Sequence, residues 1–274
     1  MILILMTAIG LAVPSAKPSA DAPESARVVA VYDGDTFTLS TGQKVRLRGV
    51  NTPELRPKEA FGLEARDAAA AVMLNKKARL YYGAVKMDGY GRLIGSLQVD
   101  NVDIAEHLLE NGLGHVFLIP PDDIESNRLL KAQARAKQSR RGIWSHKRYQ
   151  GNLHITSFHA NSPGNDNKNI NGEYLRVCNI SLETVNLKGY SITDISGRRY
   201  PFPDIDIPAG HTVKLHSGKG RHQKDPKKQL AVYLGSSRPI WNNDHDRATI
   251  YSPDNKVEDF RKHAPKSRRK SRYR

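Results

Sequence analysis

The pattern of apolar and polar positions changes character twice along these 274 residues. In the stretches 27–32, 36–39 and 44–50 apolar and polar residues alternate, and Asp-Gly and Thr-Gly pairs separate the runs. A period of two punctuated by turn formers predicts a meander of strands. From 59 to 77 the period lengthens, and an Ala-rich stretch sets Leu63, Ala70 and Leu74 on one face of a predicted amphipathic helix. Segments 79–87 and 93–99 are strand-like again, around a turn at Asp88-Gly89-Tyr90-Gly91. A short helix is predicted over 102–110 with Gly112 as its stop. A strongly basic one follows over 126–139, ending at Gly142 before Trp144. Strands first, with helices inserted and appended, suggest a small α+β barrel.

Beyond Tyr149 the texture shifts. An Asn/Gly-rich loop at 161–172 leads into short apolar runs at 173–179, 185–187, 190–193, 212–215, 229–234 and 248–251. Turn residues separate these runs and no helix pattern intervenes, which predicts an all-β sandwich. The boundary is expected near 149–153, giving domains at 27–148 and 149–260. Two domains of this size can each bury a core.

The ends of the chain differ from both. Residues 1–14 are apolar without an acidic or basic side chain, and prolines and small residues follow. This fits the apolar region of a signal peptide ending near residue 22, with Ala20-Asp21-Ala22 as a cleavage site, and predicts a secreted or periplasmic protein. No Lys or Arg precedes the run, so an uncleaved anchor is the alternative. Residues 15–26 are rich in Pro, Ser and Ala and read as linker, its last part at 23–26. Residues 261–274 hold eight basic and no acidic side chains and are expected to be a disordered tail. The net charge of +15 is concentrated in the first domain and this tail. Such a distribution suits a polyanion, either nucleic acid or an anionic cell-surface component. The single cysteine, Cys178, rules out an internal disulfide and is expected to be buried in a strand.

Candidate chemistry lies in three short pieces. Asp33-Gly34-Asp35-Thr36 joins the first two strands. Arg46-Leu47-Arg48 continues through Asn51-Thr52-Pro53-Glu54, and alternation puts Arg46 and Arg48 on one face. Asp88-Gly89-Tyr90-Gly91-Arg92 adds another arginine at a turn. Taken singly these are ordinary: Asp-Gly-Asp-Thr serves as a tight turn, and Arg46 with Glu54 would be a surface ion pair.

In this order the pieces resemble the staphylococcal (micrococcal) nuclease family, from Arg27 to the closing Gly142-Ile143-Trp144-Ser145. The resemblance implies a five-stranded OB-fold barrel with helices and calcium-dependent hydrolysis of DNA and RNA. It implies Asp35 and Asn51 as metal ligands, with Thr52 offering its backbone carbonyl. Glu54 corresponds to the general base, and Arg46 and Arg92 to the arginines gripping the phosphate. An arginine fork holds two phosphate oxygens at once. Tyr90 corresponds to a tyrosine near the nucleotide phosphate. Arg48, on the Arg46 face, is grouped with it as a substrate contact. Asn51 stands where the family carries a second aspartate, so calcium binding is expected to be weaker. Phe117 or Leu118 stands where a nucleotide-stacking tyrosine would be, and Gly89 in place of a lysine.

The second half resembles the lamin-tail domain, an immunoglobulin-like sandwich. Gly172-Glu173-Tyr174-Leu175, Asn186-Leu187-Lys188-Gly189-Tyr190, Ile207-Pro208-Ala209-Gly210 and Pro239-Ile240-Trp241-Asn242-Asn243-Asp244 carry the match. Trp241 is expected in its core or at a corner. The acidic cluster Asp244, Asp246 and Asp254 is expected to shape turns, and His154, His159, His211 and His216 lack zinc spacing. The expected whole is a monomeric, secreted endonuclease of thermonuclease type leaving 3′-phosphates, with calcium and no small-molecule cofactor. The competing reading is a non-catalytic nucleic-acid-binding or adhesion protein that uses the barrel and the basic tail.

Overall fold

The computed structural model describes residues 22–121 and 124–263. The proposed signal segment falls outside them except for its last residue, and the tail does beyond His263. Among the described residues no helix is long and apolar enough to cross a membrane.

In the first domain β1 (Ser25–Val31), β2 (Thr36–Leu39) and β3 (Lys44–Leu47) form the expected meander. β4 (Gly49–Asn51) and α1 (Gly62–Met73) precede the long β5 (Lys77–Met87) and β6 (Leu93–Val99). β7 (Val102–Asp103), α2 (Ile104–Glu110), β8 (His115–Phe117) and α3 (Ser126–Gln138) complete it. The sheet runs β3-β2-β1-β5-β6-β7, and a parallel pairing of β3 with β6 closes five of its strands into a barrel. Phe37, Leu39, Val45, Leu97 and Leu108 fill the interior without measurable exposure. Closure leaves few open edges, as expected of an OB-type barrel.

Three local readings are corrected. The stretch 44–50 is two strands, because Gly49 adopts φ 76° and redirects the chain so that β4 pairs with β8 instead. A side chain at Gly49 would also lie 2.6 Å from Leu129. Helix α1 buries Gly62, Ala65, Ala69 and Met73, whereas Leu63 and Leu74 are exposed. The buried face is rotated by one residue, about 100°, because small side chains let the helix approach the loops beneath it. A Cβ on Gly62 would stand only 2.8 Å from the Glu54 carbonyl oxygen. The linker is shorter than expected, since Ser25 and Ala26 already pair with Arg79 and Ala78.

The second domain opens with β9 (Leu153–His159) and β10 (Tyr174–Asn179), then β11 (Val185–Asn186), β12 (Ser191–Thr193) and β13 (Arg199–Pro201). β14 (Asp206–Ile207), β15 (Thr212–His216), β16 (Leu230–Tyr233), β17 (Asp246–Tyr251) and β18 (Val257–His263) follow. Two four-stranded sheets, β16-β15-β10-β9 and β13-β12-β17-β18, enclose Ile155, Leu175, Val177, Ile192, Trp241 and Ile250. Asp246 shapes its turn by accepting the amides of Ile195 and Asn242. Residues 261–263 belong to β18, where Arg261 pairs with Ala248, so the strand takes the first residues assigned to the tail.

The domains share a continuous seam. The Leu118 amide donates to the Gly210 carbonyl (2.8 Å), and the Leu118 carbonyl accepts from the Thr212 amide (3.1 Å). Gly210 has φ 74°, and a Cβ there would stand 2.6 Å from Val116. Beneath, Ala136, Ile143, Trp144 and Tyr149 pack with Cys178 and Ile180 in one cluster. The Gln133 side chain accepts from the Val116 amide (2.7 Å) and donates to the Ile180 carbonyl (3.3 Å).

Candidate active site

Three loops converge at one end of the barrel. Asp33-Gly34-Asp35 links β1 to β2, and a Cβ at Gly34 would lie 2.7 Å from Thr52 Cγ2 and 2.9 Å from Ala65 Cβ. Glycine here lets the first loop sit directly on the second. Asp35 Oδ2 accepts from the Thr52 amide (2.8 Å) and hydroxyl (3.1 Å), and Asp35 Oδ1 from the Thr36 hydroxyl (3.2 Å). Thr52 is therefore buried behind the carboxylate.

Arg46, from β3, lines the site. Its Nη1 donates to the Leu47 (2.7 Å) and Val50 (2.8 Å) carbonyls. Its Nη2 donates to Asn51 Oδ1 (3.0 Å) and stands 3.2 Å from Asp35 Oδ2. The guanidinium also lies 5.8 Å from the centre of the Phe117 ring. Across the site, Arg92 Nε bonds Asp88 Oδ2 (2.7 Å), while Asp88 Oδ1 accepts the amides of Tyr90 and Arg92. The Arg92 guanidinium lies over the Tyr90 ring at 5.5 Å. Asp35, Arg46, Arg48, Asn51, Glu54, Tyr90 and Arg92 all line one cleft of about 660 Å³. The structure thus gathers these side chains in one cleft; Thr52, nominated for its backbone carbonyl, keeps its side chain behind Asp35, and its carbonyl accepts from Asn51 Nδ2 (3.4 Å).

Glu54 is held from both sides of its backbone. Its amide donates to Glu59 Oε2 (2.9 Å), and its carbonyl accepts from the Glu59 amide (2.9 Å). Burial, with the charges of Asp35 and Glu59, raises the Glu54 carboxyl above its ordinary range. Asp33, in the recognised turn but given no role there, is pushed up to about 7 by burial and by Asp35. Three carboxyl groups thus crowd the site, and fixed cations relieve them only in part.

Sequence reasoning missed the support beneath Glu54. Glu59 Oε1 bonds Arg148 Nη1 (2.8 Å) and lies 3.2 Å from Arg261 Nη1. Arg148 Nε donates to Asp259 Oδ1 (3.0 Å). Asp259 Oδ2 accepts from the Ile155 amide (2.8 Å) and lies 2.9 Å from His154 Nδ1. Burial raises Glu59, but Arg261 and Arg148 outweigh it and leave the carboxyl below its ordinary value. Burial likewise raises Asp259, and His154 and Arg148 reverse it. A chain of buried charges therefore runs from the second domain to the loop that carries Glu54.

Among the described residues no three His, Cys, Asp or Glu gather as a metal cluster. The donors facing the cleft are oxygens, from Asp35 and Asn51, with a cationic nitrogen already between them. An all-oxygen set beside crowded carboxylates fits a hard divalent cation, and its single close carboxylate fits a loosely held one.

Comparison with known proteins agrees with this geometry. Residues 44–146 match the family model described as staphylococcal nuclease homologue, and residues 146–264 match the lamin tail domain. The thermonuclease of Staphylococcus hyicus is 31% identical over 126 residues, covering 43% of this chain and 75% of its own. A probable staphylococcal-like nuclease of Oryza sativa subsp. japonica is 30% identical over 111 residues, 40% of this chain and 28% of its own. An uncharacterised Bacillus anthracis protein is 30% identical over 130 residues, 44% of this chain and 61% of its own.

Proposed function

Because this chain belongs to the staphylococcal nuclease family, we propose that it is a secreted, calcium-dependent endonuclease acting on DNA and RNA. The observation that carries the reading is that Arg46, Arg92 and Glu54 line one cleft together with Asp35 and Asn51. Arg46 and Arg92, both on the lining of the cleft, are suited to act as fixed cations where charge develops on a phosphate under attack. Arg46 is anchored on two backbone carbonyls, so its position requires little reorganisation. Glu54, held rigidly through Glu59 and raised by burial, is suited to take a proton from water attacking phosphorus. The bond from phosphorus to the 5′ oxygen then breaks, that oxygen takes a proton from solvent to become a hydroxyl, and the phosphate stays on the 3′ side. Asp35 and Asn51 are the residues that would hold calcium, and calcium would supply polarisation of the phosphate.

The test is degradation of plasmid DNA and of RNA by the full chain, with calcium and with a chelator. Calcium-dependent cleavage is expected, with Glu54→Ala and Arg46→Ala each lowering kcat/KM by about 10²–10⁴. Absence of calcium-dependent cleavage would overturn the enzyme reading. Survival of full activity in both variants would overturn the site assignment.

Export and a single-chain active form are part of the same proposal. Support for export comes from the apolar run at 1–14. N-terminal sequencing of protein recovered outside the cytoplasm should find a start near residue 23. Recovery only in the membrane with the run intact would favour the anchor.

A further inference from the structure

The sheet β16-β15-β10-β9 buries one face in the sandwich; its other face carries two ordered rows. Pairing across the strands puts His159 opposite Tyr174, Tyr174 opposite His216, and His216 opposite Tyr233. These four rings form a continuous row. His159 and Tyr174 stack at 4.3 Å and 20°, Tyr174 and His216 stand at 5.9 Å, and His216 and Tyr233 stack at 5.0 Å and 16°. Two residues along the strands lies the next row, Ser157, Arg176 and Lys214. The offset is about 6.6 Å, on the order of the reach from a base to its own phosphate.

Both rows are half-buried, open on one side. Among the described residues neither Arg176 nor Lys214 meets a carboxylate; Arg176 bonds the side chains of Thr212 and Gln229, and Lys214 Nζ sits 4.2 Å above the Tyr174 ring. Burial and the neighbouring cations lower the two histidines, keeping their rings neutral near pH 7. Two cations without counter-charges beside a row of neutral rings are complementary to a polyanion that carries rings of its own.

The face is continuous with the active-site cleft. Ser157, His159, Tyr174 and Arg176 line the same cavity as Arg46, Glu54 and Arg92. From there the rows run outward over β15 to β16, where Gly220 packs on Tyr233 and closes the path.

We propose that this face is a track for single-stranded nucleic acid, which carries the substrate strand beyond the scissile phosphate; it rests on the nuclease reading of the adjoining cleft. Because the rings turn their faces to one another, unpaired bases lie across the edges of the row, with phosphates against Arg176 and Lys214. A duplex keeps its bases stacked on each other and has no ring face to offer the row.

The experiment compares the full chain with its Tyr174→Ala/Lys214→Met variant in calcium, using three substrates. These are a mononucleotide 4-nitrophenyl diester, a single-stranded 12-mer and a duplex 12-mer. KM for the single strand should rise about 10-fold or more, from one lost edge-to-face ring contact and one lost phosphate contact. Its salt dependence should weaken by about 0.7 in log–log slope. Kinetics on the small diester and on the duplex should stay unchanged, and Tyr174→Phe should behave as wild type.

An unchanged single-strand KM overturns the track. Equal losses on single strand and duplex overturn its single-strand character, and equal losses on all three substrates reduce the face to a structural role. If the wild type cleaves nothing, the nuclease reading fails by itself. The track is then judged by anisotropy of a labelled single-stranded 12-mer in chelator, where the variant should bind about 10-fold more weakly and equal binding would overturn it.

Discussion

Arg148→Met tests whether the buried charges joining the domains carry stability. Arg148 has 18% of its side chain exposed and touches two carboxylates, Glu59 with 11% and Asp259 with none. Removing one partner of a buried pair costs about 3–5 kcal/mol, because a charge is left without compensation. Here Glu59 keeps Arg261, and Asp259 keeps His154 and the Ile155 amide, so the low end, about 3 kcal/mol, applies. For a folded unit of this size each kcal/mol lowers Tm by about 2–4 °C, so a fall of about 6–12 °C is expected at pH 7. Scanning calorimetry of both proteins from pH 3 to 8 provides the test.

The pH dependence follows from the signs. Glu59 and Asp259 are held below their ordinary values, so their stabilisation is complete above the unfolded carboxylate range. It is lost as pH falls through the depressed folded values. The gap between wild type and variant should therefore be widest near pH 7 and should narrow below about pH 4. A Tm change under about 2 °C, or a gap constant down to pH 3, would refute the reasoning. Should Arg148→Met fail to fold, Arg148→Lys keeps one charge without the fork that reaches both carboxylates, and should fall between the two.

Other expectations follow from single contacts. Asn51→Asp should lower the calcium concentration for half-maximal rate, because a second carboxylate joins Asp35; an equal or higher requirement would remove Asn51 from the ligand set. Gly34→Ala should destabilise by about 1–3 kcal/mol and reduce cleavage, since its methyl would stand 2.7 Å from Thr52 and disturb Asp35. Urea titration and activity report these two effects separately. Cys178 has no exposed surface, and its thiol is pushed up by burial, so a thiol-reactive dye should label it only when the protein opens. Labelling at the same rate as a free thiol would contradict the seam.

Much of the barrel was legible because its strands obey a simple period and its chemistry sits in three short motifs. Asp35, Arg46, Asn51, Glu54 and Arg92 are close in sequence to turns that the fold brings together, so their grouping needed few long-range contacts. Helix α1 misled because Leu63 and Leu74 outweigh Ala65 and Ala69 in hydrophobicity, whereas close approach to Gly34 and Glu54 selects for small size. Strands β9 and β18 gave almost no signal. They carry His154 and Asp259 on the side buried against the barrel, polar groups tolerated only because each meets a partner about 100 residues away. Glu59 and Arg261 were hidden for the same reason: a buried ion pair leaves no periodic trace, and each residue alone resembles solvated surface.

The junction at 146–153 looks in sequence like a place to cut the protein in two, and the fold makes it a poor one. Tyr149 is 3% exposed and Leu153 not at all. Compact turns at Gly142–Ser145 and Lys147–Tyr149 bind the connection down. A protease therefore finds no extended segment there, and limited digestion should spare the junction. A shortened chain ending at 148 would bare Ile143, Trp144 and the Leu118 backbone to water and remove Asp259 and Arg261 from beneath Glu59. Grafting this barrel elsewhere as a self-contained cutting module would thus need a redesigned underside, since the sandwich serves as part of its foundation.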